Sequence, residues 1–207
     1  MAEFETKVRN RALIRLCGLC GIFGSVLALV MVFAATVFSP WFRWELNALS
    51  ELGVGEVSLL FNSAAIVGGV LNLIFALGLR KYLFGRRLIE IGVALIMLSS
   101  VCLVLIGIFT IEHHNAHAIV SLGYFVLAPV GFILIGFGTK RDTIRTLSIA
   151  TGIVALVAIL MLPIIFLVTP FEVGFAVPEM IEALVLAAWV VFVGVKLLRV
   201  PSGGKAG

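Results

Sequence analysis

Three things are missing from this chain: a polar stretch long enough to fold in water, a disulfide framework, and a catalytic signature. The segments between its apolar runs are short. No separate soluble domain is therefore expected, and any chemistry must occur in or beside a membrane. Only three cysteines occur, Cys17, Cys20 and Cys102, and none falls in an outer loop, which argues against a disulfide scaffold. Cys17 and Cys20 form a CxxC, but the pair sits among small and apolar residues near the start of the first run. Without a second pair or a βαβ context, that spacing points to close helix packing rather than redox chemistry. There is no HExxH and no G-x-S-x-G. Basic and aromatic residues are not interleaved in a patch, so nucleic acid is not an expected partner. The start Met1-Ala2-Glu3-Phe4-Glu5 lacks a basic n-region, and no small-residue cleavage site follows the first apolar run. That run is expected to remain as a helix.

What is present is apolar. Such residues make up 62% of the 207, and mean hydropathy is +1.22. A soluble domain has roughly 45–50%, so lipid is the natural solvent for most of these side chains. A spanning helix needs about 20 apolar residues. Six runs qualify: 14–38, 57–79, 88–109, 118–138, 147–169 and 178–198. The expected fold is an all-α integral membrane protein, a six-helix transmembrane bundle forming one polytopic domain over residues 1–207. Fourteen of the fifteen basic residues fall in segments that alternate along the chain, with only Arg43 outside the pattern. Lys7, Arg9, Arg11 and Arg15 precede the first run, and Arg80, Lys81, Arg86 and Arg87 follow the second. Lys140, Arg141 and Arg145 follow the fourth, and Lys196, Arg199 and Lys205 end the chain. Basic loops stay cytoplasmic. Both termini are thus expected inside, in a multi-pass protein of the cell membrane. The net charge of +4 sits at membrane edges, where it meets lipid headgroups.

Small residues recur at spacings suited to close helix contact, as at Gly21 and Ser25, Gly24 and Ala28, and Gly68 and Gly69. They imply bundle packing or a homo-oligomer. Pro163 lies inside the fifth run and is expected to kink it.

Acids and histidines gather at the opposite face from the bases. Glu45, Glu51, Glu56, Glu112, Glu172, Glu179, Glu182, His113, His114 and His117 all lie at or near the expected outer boundary. If 113–117 is helical, His113 and His117 are i and i+4 on one face. That spacing suits two imidazole ligands to zinc, with Glu179, Glu182 or Glu51 as a third. Solvated loop histidines are the plainer reading. Pro178 suits a first helical position, and Glu179 suits the positive end of the helix dipole. Glu182 is about a turn deeper, where an acid should face the bundle interior and have a partner. Ser39-Pro40 followed by Trp41, Phe42 and Trp44 reads as the start of a short interfacial helix, with Arg43 free to pair with Glu45 or a lipid phosphate. Asn62 and Asn72 in the second run suit interhelical hydrogen bonds, and Ser99 and Ser100 can bond their own backbone.

The segment Asn47-Ala48-Leu49-Ser50-Glu51-Leu52-Gly53, then Phe61-Asn62-Ser63, Gly68-Gly69 and His117-Ala118-Ile119-Val120-Ser121, form an ordered set of motifs. In this the chain resembles a prokaryotic membrane family catalogued as domain of unknown function 998. The resemblance covers most of the chain and implies six helices. It also marks Asn47, Ser50, Glu51, Asn62 and His117 as candidate ligand-binding positions at the outer boundary. The acidic position, often Asp in that family, is Glu51 here. The family has no established activity, so no reaction is implied.

Three functions stay open. The first is a binding protein whose polar outer pocket holds a lipid headgroup, a small ligand or a partner, closed by Asn47, Ser50, Glu51, Asn62 and His117. The second is an intramembrane lipid hydrolase with Ser50 as nucleophile, His117 as base and Glu51 or Glu182 as orienter. Its zinc version would use His113, His117 and Glu182. It distantly resembles membrane hydrolases related to ceramidases, whose further histidines are not reproduced. The third is a small-solute transporter, for which Asn72, Ser99, Ser100 and Pro163 are the midplane candidates.

Overall fold

The computed structural model describes residues 2–168 and 174–200, and the side chains of 10–161 and 174–200. Glu172, Lys205 and the side chains of Lys7, Arg9 and Pro163 lie outside the described set. Among the described residues six α-helices run α1 Ala2–Val37, α2 Ser58–Leu83, α3 Arg87–Ile108, α4 His114–Gly138, α5 Asp142–Val168 and α6 Ala176–Leu198. Each is long and apolar enough to cross a membrane. There is no strand among the described residues. Lipid offers the backbone no hydrogen-bond partner, so a segment that crosses must bond to itself. Twenty or so consecutive apolar residues therefore become a helix irrespective of β-branched content.

The helices outrun the apolar stretches that betray them. α1 begins at Ala2 rather than near residue 14, α2 reaches Leu83, and α5 starts at Asp142. A hydropathy window stops at the first charges, whereas a helix continues until its own capping stops it. At 36 residues α1 is about 54 Å long, well beyond the roughly 30 Å of a hydrocarbon core. α6 begins two residues earlier than its proline suggests, at Ala176, with Pro178 still inside the first turn, where no intrahelical N–H is needed. α5 runs through Pro163. A second internal proline, Pro129, sits in α4. Its carbonyl lies against α5, where a Cβ on Gly152 would be 2.6 Å away.

Successive helices pack as antiparallel neighbours, and α6 closes the ring against α1. Contact between helices in lipid comes from close packing, not from hydrophobic association. Two glycine pairs allow it. A Cβ on Gly18 would be 2.8 Å from the Gly194 carbonyl oxygen, joining α1 to α6, and one on Gly92 would be 2.6 Å from that of Gly131, joining α3 to α4. Large side chains such as Phe23, Val30, Leu98 and Ile119 face outward from the ring. In water such a surface would aggregate; in lipid it is solvated.

The ring is filled unevenly. Around Trp189 of α6 it is dense. Phe132 of α4 lies 4.3 Å away between ring centroids, Phe75 of α2 meets the indole edge-on at 6.3 Å, and the indole Nε1–H donates to Ser148 Oγ of α5 at 2.8 Å. The end beyond Trp189 carries the basic residues. There Arg141 stacks over Tyr82 at 4.1 Å, and exposed Arg80 pairs with Glu90 at 2.7 Å. The other end carries Glu45, Glu51, Glu56, Glu112 and Glu179, and is called the acidic end below.

Candidate functional site

The acidic end is roofed by the loop between α1 and α2. Its helix is not where Ser39-Pro40 suggests. Residues 39–46 form turns, and the helical turn of the loop is a 3₁₀ segment at Leu49–Gly53. The buried Ser39 hydroxyl makes no hydrogen bond among the described residues, so no cap forms there. Instead Asn47 organises the preceding turn: its Oδ1 accepts from the Arg43 N–H at 2.8 Å and its N–H donates to the Arg43 carbonyl at 2.9 Å. Trp44 packs edge-on against Phe42 at 5.4 Å and against Phe33 at 6.1 Å. Arg43 makes no ion pair among the described residues.

Glu51 then bridges back across the start of the 3₁₀ turn. Its two oxygens accept from Asn47 Nδ2 and from the Ala48 N–H, both at 2.7 Å. This is the carboxylate half of a capping box. Leu49 and Leu52 are thereby turned inward onto Phe61, Ala176 and Met180. Asn62 of α2 donates to the Gly53 carbonyl at 3.0 Å, tying the turn to α2. Three bonds tie it to α6 and the segment before it. The Leu49 N–H donates to Glu179 Oε2 at 2.6 Å, the Gly174 N–H to the Glu45 carbonyl at 2.7 Å, and the Ala176 N–H to the Asn47 carbonyl at 2.9 Å. Gly174 is required for this approach, because a Cβ there would collide with the Asn47 backbone.

Beneath the roof is a cavity of about 150 Å³. It runs from Leu49, Ser50 and Glu179 down to Phe75, Phe132 and Val190 at mid-bundle. Along α2, from Phe61 to Phe75, this is about 21 Å. The walls are mostly aliphatic and aromatic, with Ser25, Ser50, Asn72, Ser99, Ser100, Ser121, Tyr124 and Glu179 as polar punctuation. Several of these are already engaged. Ser25 Oγ donates to Asn72 Oδ1 at 3.4 Å, Ser99 Oγ to the Tyr124 carbonyl at 3.2 Å, and Ser100 Oγ to the Ile96 carbonyl at 2.8 Å. Glu182, one turn along α6 from Glu179, is fully buried, and neither of its oxygens has a hydrogen-bond partner among the described residues. It lies within electrostatic reach of Tyr124 and Glu179.

The residues singled out in the sequence thus separate into groups. Asn47, Glu51 and Asn62 come together in the roof. Ser50 lines the cavity. His117 belongs to a different structure: its Nδ1 bonds the Phe109 carbonyl at 2.7 Å, which requires the proton on Nδ1 and holds the end of α3 to the start of α4. His113 closes a 3₁₀ turn at Ile111–His113, outside α4, and bonds Thr110 Oγ1 at 3.3 Å. His114 between them has φ +30°, so His113 and His117 do not share a helical face. No three His, Cys, Asp or Glu side chains converge on a metal position among the described residues. The zinc set His113, His117 and Glu182 is therefore not assembled. Ser50 makes no hydrogen bond to His117, and both Glu51 oxygens are occupied in the loop, so the serine triad is not assembled either.

Tyr124 escaped the sequence reading, while Ser25 appeared there only as a packing residue and Ser121 only within the His117–Ser121 motif. Tyr124 carried a signal, as one of two tyrosines in the chain and deep within an apolar run rather than at its edge. Neither serine pointed to a cavity, since a serine in a spanning helix usually bonds its own backbone. A family described as "Protein of unknown function (DUF998)" matches residues 22–196. No curated protein and no solved structure matches the chain.

Proposed function

The chain belongs to the DUF998 family of proteins of unknown function, and from that premise we propose that it binds a small, mostly apolar molecule in the cavity beneath the Asn47–Glu51 roof. The observation that carries the reading is the cavity itself. Interiors are normally packed to the density of organic crystals, with few voids larger than a water. About 150 Å³ left between Phe75, Leu103, Phe132 and Leu186 is a costly omission unless something fills it. A cavity of that size takes a molecule of benzene's bulk. Apolar walls with a few placed polar groups are the usual composition of a small-molecule site. The roof covers one end of the cavity, where Leu49 and Ser50 line it and Glu51, Asn62 and Glu179 hold them in place.

In this reading the acidic end faces outward and both termini are cytoplasmic, because the basic loops collect at the other end. A transport role is the second reading. It is favoured by one observation: the cavity reaches mid-bundle at Asn72, with Pro129 interrupting the hydrogen-bond ladder of α4 nearby.

The test is native mass spectrometry of mildly solubilised protein, comparing the wild type with Ala183→Phe, which fills the cavity from α6. A bound small molecule retained by the wild type and lost by a folded Ala183→Phe supports the reading. Equal retention, or an empty cavity that also admits no added benzene-sized probe, overturns it.

A further inference from the structure

The basic end of the bundle has a cleft of its own. Two loops meet there, 84–86 between α2 and α3 and 139–141 between α4 and α5, each only three residues long. The open space between them is about 310 Å³. Arg86, Lys140 and Arg141 line it, and no acid does among the described residues. Keeping basic residues on the cytoplasmic side asks only that they lie in such loops. It does not ask that bases from two loops distant in sequence converge on one space, where their mutual repulsion is a cost. The cations are also held. Arg86 donates from Nη1 to the Gly138 carbonyl at 3.2 Å, and the Arg141 guanidinium sits over the Tyr82 ring at 4.1 Å. None of the three makes an ion pair among the described residues. Thr139 is buried and also lines the cleft; its Oγ1 accepts the Arg141 N–H at 3.2 Å, which leaves its own O–H to donate. Of the nearby acids, Asp142 is exposed and does not line the cleft, and Glu90 is engaged by Arg80 at 2.7 Å.

We propose that this cleft binds the phosphate of an anionic membrane phospholipid. A guanidinium presents paired donors that match phosphate oxygens, and an ammonium adds a point charge. Side chains already held by Gly138 and Tyr82 lose little freedom when the anion arrives. A lipid is the favoured carrier of that phosphate because the cleft lies at the end of the spanning helices, the level at which headgroups collect. Phe84, which also lines the cleft and is largely exposed, offers apolar surface to the rest of the lipid. This site is separate from the cavity beneath the roof and does not depend on it.

For the test, the full chain is placed in nanodiscs of equal phosphatidylglycerol and phosphatidylcholine, and the lipid it retains on mild release is read by native mass spectrometry. The wild type should retain phosphatidylglycerol in about tenfold preference, as expected for charge-assisted hydrogen bonds. Arg86→Gln and Arg141→Gln should each bring the two lipids to within about twofold of parity, the loss expected for one such bond. Lys140→Gln, whose side chain makes no bond in the fold among the described residues, gives the same reading if an arginine variant fails to fold. Arg87→Gln and Arg145→Gln remove exposed charges at the same end that do not line the cleft, and should leave the preference intact. Ala183→Phe in the cavity should leave it intact as well. Equal loss in all five charge variants would mean diffuse surface attraction and overturn the site. A preference unchanged in the folded Arg86→Gln, Lys140→Gln and Arg141→Gln proteins also overturns it. A soluble arm measures glycerol phosphate binding to the delipidated protein by calorimetry. Binding there that needs Arg86 and Arg141, with no lipid preference in the nanodiscs, keeps the phosphate site and overturns the lipid as its source. Absence of both overturns the proposal and leaves the cavity reading standing.

Discussion

Removing the Glu51 carboxylate should loosen the roof without unfolding the bundle. In the wild type its oxygens accept from Asn47 Nδ2 and the Ala48 N–H, both at 2.7 Å. Hydrogen bonds to a charged group contribute about 1.5–3 kcal/mol each. Glu51 is half-buried, so the lower part of that range applies and the pair totals about 3 kcal/mol. At 1.4 kcal/mol per decade this corresponds to a roughly 10²-fold rise in the open population of the loop. The remaining ties, Leu49 to Glu179 and Gly174 and Ala176 to the backbone of Glu45 and Asn47, do not involve Glu51 and should hold the loop on α6. Amide exchange followed by NMR in micelles separates these effects. In Glu51→Ala the Ala48 amide should exchange roughly 10²-fold faster, and the Leu49 amide should change less, in keeping with local rather than global opening. Glu51→Gln is the sharper variant. Asn47 cannot flip its amide, because its Oδ1 already accepts from Arg43. The side-chain NH₂ introduced by this substitution would therefore face a donor on one side or the other. The variant should lose protection at Ala48 or destabilise the Arg43–Asn47 turn by about 1–3 kcal/mol. Wild-type exchange at Ala48 and Arg43 in both variants would refute the bracket role of Glu51.

Three further outcomes are expected. Ser148→Ala leaves the buried Trp189 indole N–H without its acceptor and should cost about 1–3 kcal/mol, measured by reversible unfolding in bicelles. Adding Trp189→Phe should recover part of that loss, and strict additivity of the two changes would count against the bond. His117→Ala frees the Phe109 carbonyl and should lower stability by about 1 kcal/mol, whereas His113→Ala on the exposed 3₁₀ turn should be nearly silent; equal melting temperatures for the two variants would remove His117 from its joint. Single cysteines placed in 39–56 of a Cys17, Cys20 and Cys102-free chain should react with impermeant reagents added outside cells, and those in 140–145 should not. The reverse pattern would invert the proposed orientation.

How much of this was legible beforehand depended on the range of the physics involved. The six spans were readable because helix formation in lipid is a local requirement. Each apolar run must satisfy its own backbone, and a window of about 20 residues contains the whole argument. The roof was half readable. Asn47, Glu51 and Asn62 were recognisable as a polar set, but that Glu51 closes on Ala48, and that Glu179 reaches across to Leu49 from 130 residues away, depends on where the loop lies on α6. The His113–His117 pairing failed for a similar reason. The i, i+4 rule presumes a continuous helix, and a positive φ at His114 breaks it.

What the sequence determined alone was the number, type and rough extent of the spans, because these follow from the solubility of each segment in lipid. Tertiary structure alone decided which small residues face each other and where the ring is dense. It also decided where the ring stays open and that Glu182 is buried without a partner among the described residues. Those are properties of pairs of helices, set by side-chain volumes meeting at a crossing. A hydropathy profile reads each helix singly and carries no record of the neighbour it will touch.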